Sequence, residues 1–431
     1  MLSLSSVRSG TTGRTTYVAG LRYQSAIPPW PTAPPSPHSQ LAIGATVNQS
    51  AIQKEPSSLR RLARLAERRS TRTPYVLMDE ALLRDGAKEF LSVLNGSQVF
   101  YAVKANPDAG VLQIFADEGL GFEVSSSHEL RRVRALGVGP ERIRTSNPVK
   151  DTGFIRQMHR LGSNRFVFDS SGEAEKISTE APGAEVMVRL TVDNSGSAWP
   201  LSDKFGVEID EACRLLVEAT SLGLSAAGAT FHVGSQCLTP ASWTSALRRA
   251  VELWNRAREH GLQLRILNVG GGLPAHHDTA IASTAQTLSS IAGQVRELFP
   301  SDVEMEIEPG RALVADAGAL ITTVTGRAQR DQLTWLYVDA GIFNGLMEAI
   351  GGIEYQFLPL KAAGRPATCV IAGPSCDSMD IVAKNVFIAA PSVGERVLVF
   401  PGGAYTTVYA SRFNGIHIPR LIMDRSEDDG S

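Results

Sequence analysis

Eight strand-like segments that alternate with helical segments constrain the fold of this chain more than any other feature of its sequence. Each is a short run of apolar, β-branched or aromatic residues, and amphipathic patterns of helical length separate most of them. Parallel strands need long crossover connections, which helices usually provide. The alternation therefore predicts a (β/α)8 barrel. Its expected strands lie near residues 98–103, 121–124, 142–145, 165–169, 184–190, 227–232, 264–269 and 303–307.

The pattern changes after about residue 316, where strand-like segments follow one another without long helices between them. This favours an all-β domain, so the predicted fold is an α/β barrel followed by a C-terminal all-β domain. We expect the barrel to comprise residues 75–315, and the β-domain to comprise residues 56–74 and 316–425. The strand-like segments of the second domain are 319–327, 333–338, 367–372 and 395–399.

The first 55 residues differ in composition from the rest of the chain. They are rich in serine and threonine, contain arginine, and have no acidic residue before Glu55. Residues 28–37 are rich in proline, which excludes a helix or an inner strand there. An organelle transit peptide has such a composition, and so does a disordered tail. We expect a disordered tail, residues 1–55.

The overall composition is typical of a globular protein, with 43% apolar residues, 20% charged residues and a formal net charge of −2. No dense basic cluster is present, which argues against a nucleic-acid partner. No apolar run approaches the roughly 20 residues that cross a bilayer, so no membrane span is expected. The four cysteines show neither paired metal-ligand spacing nor a disulfide-rich pattern. This favours a reducing, cytoplasmic compartment and no bound metal.

A lysine follows the first predicted barrel strand, at the end of a barrel where catalytic residues collect. Lys104 comes directly after the apolar run 98–103, and Asn106-Pro107 then provides a helix cap and a first-turn proline. We expect the ammonium group to be desolvated or paired there, and desolvation would lower its pKa toward the range in which the amine is a nucleophile. For a lone lysine at a strand end, a surface salt bridge is the alternative.

Three later strand ends carry residues that suit a phosphorylated cofactor. His232 and Ser235 follow the sixth strand, three consecutive glycines follow the seventh, and Glu308 and Arg311 follow the eighth. Glycines let a backbone approach an anion closely, and the loops after strands seven and eight often bind phosphate in this fold. A lysine, a phosphate loop, an imidazole ring and a carboxylate together indicate pyridoxal 5′-phosphate (PLP).

These motifs, in their order along residues 74–410, resemble those of the fold-III PLP-dependent decarboxylases, which have an alanine-racemase-like barrel. That family acts on ornithine, lysine, arginine and diaminopimelate. Within it, the segment AWPLSDKFG (198–206) and the pair Cys376-Asp377 are most similar to bacterial ornithine/lysine decarboxylases. The matching motifs are YAVKAN, FHVGSQ, NVGGG, EPGR, GPSCDSMD (373–380) and GGAY (402–405).

The resemblance implies a role for each matching residue. Lys104 would hold PLP through a Schiff base, His232 would stack on the ring, and Glu308 would keep the pyridine nitrogen protonated. Cys376 would donate a proton after CO2 leaves, and Asp377 would bind the distal amine of the substrate. The remaining positions expected around the cofactor are Ser235, Gly270, Gly271, Gly272, Gly310, Arg311, Tyr405, Glu129 and Arg189.

The resemblance also implies an assembly. Cys376 and Asp377 would reach the site from the partner subunit of a homodimer with shared active sites. Lys204 and Asp380 match a pair of family residues that bridges the two subunits.

The substrate is less constrained than the reaction. Eukaryotic ornithine decarboxylases have an acid directly before the glycine that matches Gly341, but here Asp339 stands one place earlier, on the other face of a strand. This order resembles diaminopimelate decarboxylases, which however have glutamate in place of Asp377. Glu348, or Asp339 itself, is a further candidate for binding the substrate amine.

We expect decarboxylation of L-ornithine or L-lysine, to putrescine or cadaverine. Diaminopimelate, arginine or a substrate of a specialised pathway is the alternative. A racemase is disfavoured because Glu308 and Cys376 suit decarboxylation. A catalytically dead homologue is disfavoured because Lys104 and the phosphate loop are present.

Overall fold

The computed structural model describes residues 56–94, 98–201, 204–277, 282–361 and 364–426, so the predicted tail 1–55 lies outside the described residues. The described strands are β1 (Tyr75–Asp79), β2 (Gln98–Ala102), β3 (Gly121–Glu123), β4 (Ile143–Arg144), β5 (Arg165–Phe168), β6 (Glu185–Arg189), β7 (Ser197–Trp199), β8 (Ser225–Thr230), β9 (Ser235–Cys237), β10 (Ile266–Asn268), β11 (Glu304–Ile307), β12 (Gly318–Arg330), β13 (Leu333–Val338), β14 (Gln356–Pro359), β15 (Pro366–Ala372), β16 (Ile381–Ala389), β17 (Arg396–Phe400) and β18 (Arg420–Asp424). The described α-helices are α1 (Ser57–Glu67), α2 (Glu80–Val93), α3 (Ala109–Asp117), α4 (Ser127–Ala135), α5 (Thr152–Leu161), α6 (Ser171–Glu180), α7 (Ile209–Ser221), α8 (Ala241–Glu259), α9 (Thr284–Leu298) and α10 (Arg311–Val314).

The predicted barrel is confirmed. Eight parallel strands pair in the order β4-β3-β2-β11-β10-β8-β6-β5, and each corresponds to one of the predicted segments. The last strand, β11, pairs with the first, β2, through Ile307 and Val99. A single bridge between Thr145 and Phe166 joins β4 to β5 and closes the ring. Helices α2–α9 lie in the connections around this ring.

A network of charged side chains occupies the barrel interior near the strand N-termini. Glu306 on β11 is fully buried and accepts hydrogen bonds from Arg144 (3.0 Å) and from Arg165. Arg165 also contacts Glu185 at 2.9 Å and Glu304 at 3.2 Å. Because β5 and β11 are not neighbours in the ring, these contacts cross the barrel interior. The carboxylates therefore compensate two arginines that burial would otherwise penalise.

A second sheet forms the predicted β-domain, with the strand order β14-β17-β12-β13-β15-β16. Strand β1 joins this sheet through antiparallel pairing with β12 and parallel pairing with β18. The predicted start of the barrel at residue 75 is therefore wrong for Tyr75–Asp79, which belongs to the second sheet. All five residues of β1 are buried, and an apolar run of this length does not reveal which sheet it joins. Strands β14, β16 and β18 were not predicted from the sequence.

Asp79 lies at the junction between strand β1 of the second sheet and helix α2 of the barrel. It ends β1, and its side chain accepts hydrogen bonds from the backbone N–H groups of Ala81 (2.9 Å) and Leu82 (3.3 Å) at the start of α2. The same carboxylate pairs with Arg61 on α1. One buried aspartate thus caps α2 and ties α1 to the strand. Among the described residues, no helix has the length and apolar character that crossing a membrane requires.

Replacing Glu306 with alanine should strongly destabilise the barrel, because Arg144 and Arg165 would remain buried without their shared partner. We expect a loss of about 3–5 kcal/mol in the free energy of unfolding, measured by urea denaturation. Glu304→Ala is the matched control, since Glu304 contacts the same Arg165 but is about one third exposed. Its loss should stay below about 1 kcal/mol. Equal effects of the two variants would contradict this account of the barrel interior.

Candidate active site

A cavity of about 360 Å³ lies at the C-terminal ends of the barrel strands. Six different strand ends contribute polar side chains to its lining, as expected for an active site of this fold. Their convergence confirms that the strand ends meet at one site, including those of the first and last barrel strands. The lining side chains that matter below are Lys104, Glu123, Ser146, Arg189, His232 and Glu308.

Lys104 is paired with an acid that the sequence analysis missed. Its Nζ lies 2.8 Å from Oε2 of Glu123, the last residue of β3, and the Glu123 side chain is buried whereas that of Lys104 is 49% exposed. Burial favours the neutral amine, but the charge and hydrogen bond of Glu123, together with the charges of Tyr405 and Glu308, outweigh burial and raise the pKa of Lys104 above its usual range. Of the two expected environments, desolvated or paired, the structure shows the paired one, and the pKa of Lys104 is raised where desolvation alone would have lowered it. The strand-end rule that identified Lys104 would also have identified Glu123.

His232 presents a neutral imidazole ring to the cavity. Its Nδ1 accepts a hydrogen bond from the backbone N–H of Gly234 at 3.0 Å, so the proton of the neutral ring is on Nε2. Burial, together with the positive charges of Arg189 and Lys104, lowers the pKa of His232 well below its usual value. A neutral ring held at a fixed angle suits stacking on a flat, conjugated ligand.

Glu308 is a buried carboxylate in the same cavity. It accepts hydrogen bonds from Nδ2 of Asn268 at 2.7 Å and from the hydroxyl of Ser146. Burial and the neighbouring Glu123 raise the pKa of Glu308, while Ser146, Lys104 and Asn268 oppose that rise. Neither Ser146 nor Asn268 was assigned a role from the sequence, although Ser146 lies just after β4 and Asn268 is the last residue of β10.

The glycine loop after β10 leaves backbone donors without partners. A Cβ atom on Gly271 would lie 2.6 Å from the Glu308 carbonyl oxygen, and Gly270 and Gly272 have φ of 67° and 98°. Within the described part of the chain, no group accepts from the N–H of Gly271, Gly272, Gly310 or Arg311. Buried N–H groups without acceptors are costly, and four that lie on two adjacent loops form a site for an anion such as a phosphate.

Arg311 adds a cation to this anion site. It is buried, its Nη2 lies 3.2 Å from the hydroxyl of Ser235, and its guanidinium carbon lies 5.0 Å above the ring of Tyr405. Glu348 binds the same guanidinium through both carboxylate oxygens, at 2.6 and 2.9 Å. Ser235, Arg311 and Tyr405 are therefore brought together beside the glycine loop, as the sequence analysis expected.

Two acids that the sequence analysis considered for the substrate amine do not reach the cavity. The carboxylate of Glu348 accepts hydrogen bonds from Arg311 through both of its oxygens. Asp339 accepts hydrogen bonds from the hydroxyl of Thr322 (2.6 Å), from the hydroxyl of Thr73 (2.5 Å) and from the N–H of Thr323 (2.9 Å). Both carboxylates therefore have structural partners, which the sequence did not reveal because the partners are distant along the chain.

Glu129 and Arg189, both expected near the cofactor, differ in their placement. Glu129 lies in the first turn of α4, where its carboxylate accepts from the N–H of Ser125 at 2.7 Å and its own N–H donates to Ser126. It therefore caps a helix rather than lining the cavity. Arg189 does line the cavity, and burial lowers the pKa of its guanidinium.

Cys376 and Asp377 lie away from the cavity of their own chain, between β15 and β16. Cys376 is exposed, and its thiol lies 3.5 Å from Oδ1 of Asn414. Asp377 accepts from the N–H of Met379 at 2.8 Å. Asp380, expected to bridge subunits, is buried and instead accepts from the N–H of Ile342 (2.7 Å) and of Ser375 (2.9 Å). It thereby fixes the loop that presents Cys376.

Comparison with known proteins identifies the family. The family model described as pyridoxal-dependent decarboxylase, pyridoxal binding domain, matches residues 80–315, which is more than half of the chain. The chain belongs to the pyridoxal-dependent decarboxylases. It is therefore a PLP-dependent carboxy-lyase, and the anion site and the cavity with Lys104 fit this cofactor. Around the cavity and elsewhere in the described ranges, no cluster of side chains could hold a metal ion.

Individual members of this decarboxylase family are similar over most of the chain. A lysine/ornithine decarboxylase of Selenomonas ruminantium is 34% identical over 82% of this chain and 90% of that protein. The structure of a lysine/ornithine decarboxylase from Vibrio vulnificus, complexed with cadaverine, has a TM-score of 0.79 at 27% identity and covers 86% of this chain and all of that one. An arginine decarboxylase of Paramecium bursaria Chlorella virus, bound to agmatine, has a TM-score of 0.79 at 26% identity, covering 85% of this chain and all of that one.

Gly271→Ala should weaken cofactor binding, because the added methyl group would meet the Glu308 carbonyl and lie 3.3 Å from Nε2 of His232. We expect the dissociation constant for PLP to rise about tenfold or more, measured by absorbance titration of cofactor-free protein. Gly293→Ala is the matched control, since a Cβ atom there on α9 would have no neighbour within 4 Å. This variant should keep its affinity and gain slightly in stability, as alanine favours helix over glycine. Unchanged affinity of Gly271→Ala would contradict the assignment of the loop.

Glu123→Gln should lower the pKa of Lys104, because the carboxylate that holds the ammonium charge is lost. The neutral amine forms the covalent attachment, so the rate of PLP capture by cofactor-free protein should reach half its maximum at a lower pH than in wild type. Absorbance stopped-flow measurements over roughly pH 7–11 follow this change, and the wild-type rate should still be rising at the upper end because the pKa of its Lys104 lies above the usual value of about 10.4. Glu129→Gln removes a nearby carboxylate that makes no hydrogen bond to Lys104 and should shift the midpoint much less. The same shift in both variants would count against a specific role of Glu123.

Proposed function

We propose that the protein decarboxylates a basic L-amino acid, with L-ornithine or L-lysine as substrate and putrescine or cadaverine as product. The observation that carries the proposal is the cavity in which Lys104, His232 and Glu308 meet beside an anion site. The names of similar proteins, lysine/ornithine decarboxylases, support the substrate class. The similar arginine decarboxylase makes arginine the second candidate. Diaminopimelate is a third, because the order Asp339-Ala340-Gly341 resembles that of diaminopimelate decarboxylases.

Each residue of the cavity has a proposed task. When bound, PLP supplies the conjugated ring that receives the electron pair released as CO2 leaves. Lys104 attaches the cofactor, the neutral ring of His232 packs against it, and Glu308 holds a proton at the ring nitrogen. Arg311, Ser235 and Tyr405, with the N–H groups of the two adjacent loops, bind the phosphate.

Glu308 also supports decarboxylation over racemisation. A carboxylate opposite the ring nitrogen keeps that nitrogen protonated, which strengthens the ring as an electron acceptor. A racemase would be better served by a positively charged partner at this position and by a tyrosine base. A catalytically dead homologue is disfavoured because Lys104, Glu308 and the intact anion site are retained.

We further propose that the active form is a homodimer in which each subunit completes the site of the other. Cys376 and Asp377 would donate a proton and bind the distal amine, yet neither lines the cavity of its own chain. Their loop lies beside exposed apolar side chains, Met379 and Phe413, which are 57% and 40% exposed. An exposed apolar surface next to functional side chains is typical of an interface. The free cysteines fit the proposed cytoplasmic location.

Asp377 is the best remaining partner for the distal amine, since Asp339 and Glu348 already have partners. An unpaired ammonium group costs several kcal/mol in a closed site. Assays of L-ornithine, L-lysine, L-arginine and diaminopimelate should therefore show a preference for one of the first two. Asp377→Ala should lower kcat/KM for that substrate, by an amount that corresponds to a loss of roughly 2–5 kcal/mol in transition-state stabilisation. The PLP absorbance should not change. Asp339→Asn is the control and should keep the substrate preference; an Asp377→Ala enzyme that also keeps it would contradict the role of Asp377.

The shared site predicts complementation between two inactive variants. Lys104→Ala and Cys376→Ala should each lose nearly all activity. Mixed dimers of the two would contain one site with both residues intact. After subunit exchange, activity should return to about a quarter of wild type, since half of the dimers are mixed and each has one intact site of two. Native mass spectrometry can verify the exchange, and verified mixed dimers without activity would argue for sites built within single chains.

A further inference from the structure

The two oxygens of the Glu308 carboxylate are in different environments. Both of its hydrogen-bond donors, the hydroxyl of Ser146 and Nδ2 of Asn268, bind the same oxygen, Oε1. Oε2 receives no hydrogen bond from any residue that the structure describes. Because Glu308 is buried yet lines the cavity, Oε2 is the oxygen available to a ligand there.

The two donors are held in place independently of any ligand. The Oδ1 of Asn268 accepts the N–H of Gly270 at 2.8 Å, which fixes the amide so that Nδ2 faces Glu308. Ser146 is buried in the loop after β4, and Lys150 anchors that loop. The Nζ of Lys150 donates to the carbonyl oxygens of Val167 (2.6 Å) and Asn147 (3.0 Å), so it ties the loop to β5. The carboxylate orientation is therefore set before anything binds.

The surroundings of Glu308 make these donors necessary. Glu123 on β3 faces it with a like charge, and burial also favours the protonated acid, so both raise the pKa of Glu308. Lys104, next to β2, and Arg189, on β6, face it with positive charge, while His232, after β8, is neutral. Hydrogen bonds donated to an ionised carboxylate favour the ionised form. Only that form provides a negative charge opposite a protonated ring nitrogen.

We infer that Ser146 is a positioning residue: together with Asn268 it occupies Oε1 and keeps Glu308 ionised, so that Oε2 accepts a hydrogen bond from the protonated ring nitrogen of the cofactor. This inference rests on the proposed role of Glu308. It assigns a function in the reaction to a serine hydroxyl that donates its hydrogen bond to the Glu308 carboxylate and acts through that carboxylate.

The test compares PLP with 1-deaza-PLP, in which a C–H group replaces the ring nitrogen. Full-length protein is stripped of cofactor and titrated with each ligand, and the ratio of the two dissociation constants is measured by absorbance. Wild-type protein should prefer PLP, because only PLP has a ring nitrogen for Glu308. Ser146→Ala should reduce this preference about tenfold, since a hydrogen bond to a charged group is lost. Binding of 1-deaza-PLP itself should change little.

Three further measurements separate the possible causes. Ser163→Ala is the matched control, because the buried Ser163 hydroxyl donates to the Ile143 carbonyl of β4 at 2.8 Å and does not touch Glu308. It should keep the wild-type preference. Ser146→Thr retains a hydroxyl and should restore most of the preference. The pH below which the preference for PLP is lost should be higher in Ser146→Ala, because losing a donor raises the pKa of Glu308.

Glu308→Gln distinguishes failure of this inference from failure of the proposed function. If Glu308→Gln keeps the wild-type preference for PLP, Glu308 does not bind the ring nitrogen and the proposed function loses that role. If Glu308→Gln abolishes the preference but Ser146→Ala keeps it, the role of Glu308 stands and the inference about Ser146 is overturned. A loss in Ser146→Ala that equals the loss in Ser163→Ala would also overturn it, since a general loss of packing would then explain both.

Discussion

The pairing of the first barrel strand with the last is the constraint on which the active site depends. Val99 on β2 pairs with Ile307 on β11, although more than 200 positions separate them along the chain. This pairing brings Lys104 and Glu308, which follow these two strands, into one cavity. It is also costly to form in entropy, because the whole intervening chain must be closed into a loop. Every functional residue of the cavity is placed by the ring that this pairing completes.

Much of the fold and part of the site could be predicted from the sequence, because both depend on local pattern. The eight barrel strands are short apolar runs bounded by helices, and parallel strands in a closed ring align their C-terminal ends automatically. Lys104, His232, Ser235, Glu308 and Arg311 were found by that rule alone. Residues 75–79 were placed within the barrel domain, whereas β1 joins the second sheet, because an apolar run indicates burial but not the strand with which it pairs.

The failures share a physical cause, which is that acidic side chains find their hydrogen-bond and charge partners in other segments of the chain. The shift in the pKa of Lys104 depends on Glu123, and the direction of that shift could not be predicted without knowing this partner. Glu348 and Asp339 looked available in the sequence, but Arg311 and three threonine groups respectively bind them in the structure. Cys376 presents the opposite case. Its motif was recognised, but Cys376 lies outside the cavity of its own chain, so its proposed role requires the proposed dimer, which one sequence does not describe.

The pairing of Arg311 with Glu348 has a consequence for selectivity among anions. Glu348 balances the charge of the Arg311 guanidinium. The anion site therefore has little long-range electrostatic attraction for inorganic phosphate or sulfate in bulk solution. A free anion gains only the short-range hydrogen bonds, whereas a phosphorylated aldehyde gains those bonds and a covalent link to Lys104 as well. Stable retention of a phosphorylated ligand therefore depends on the link to Lys104 as well as on the phosphate contacts.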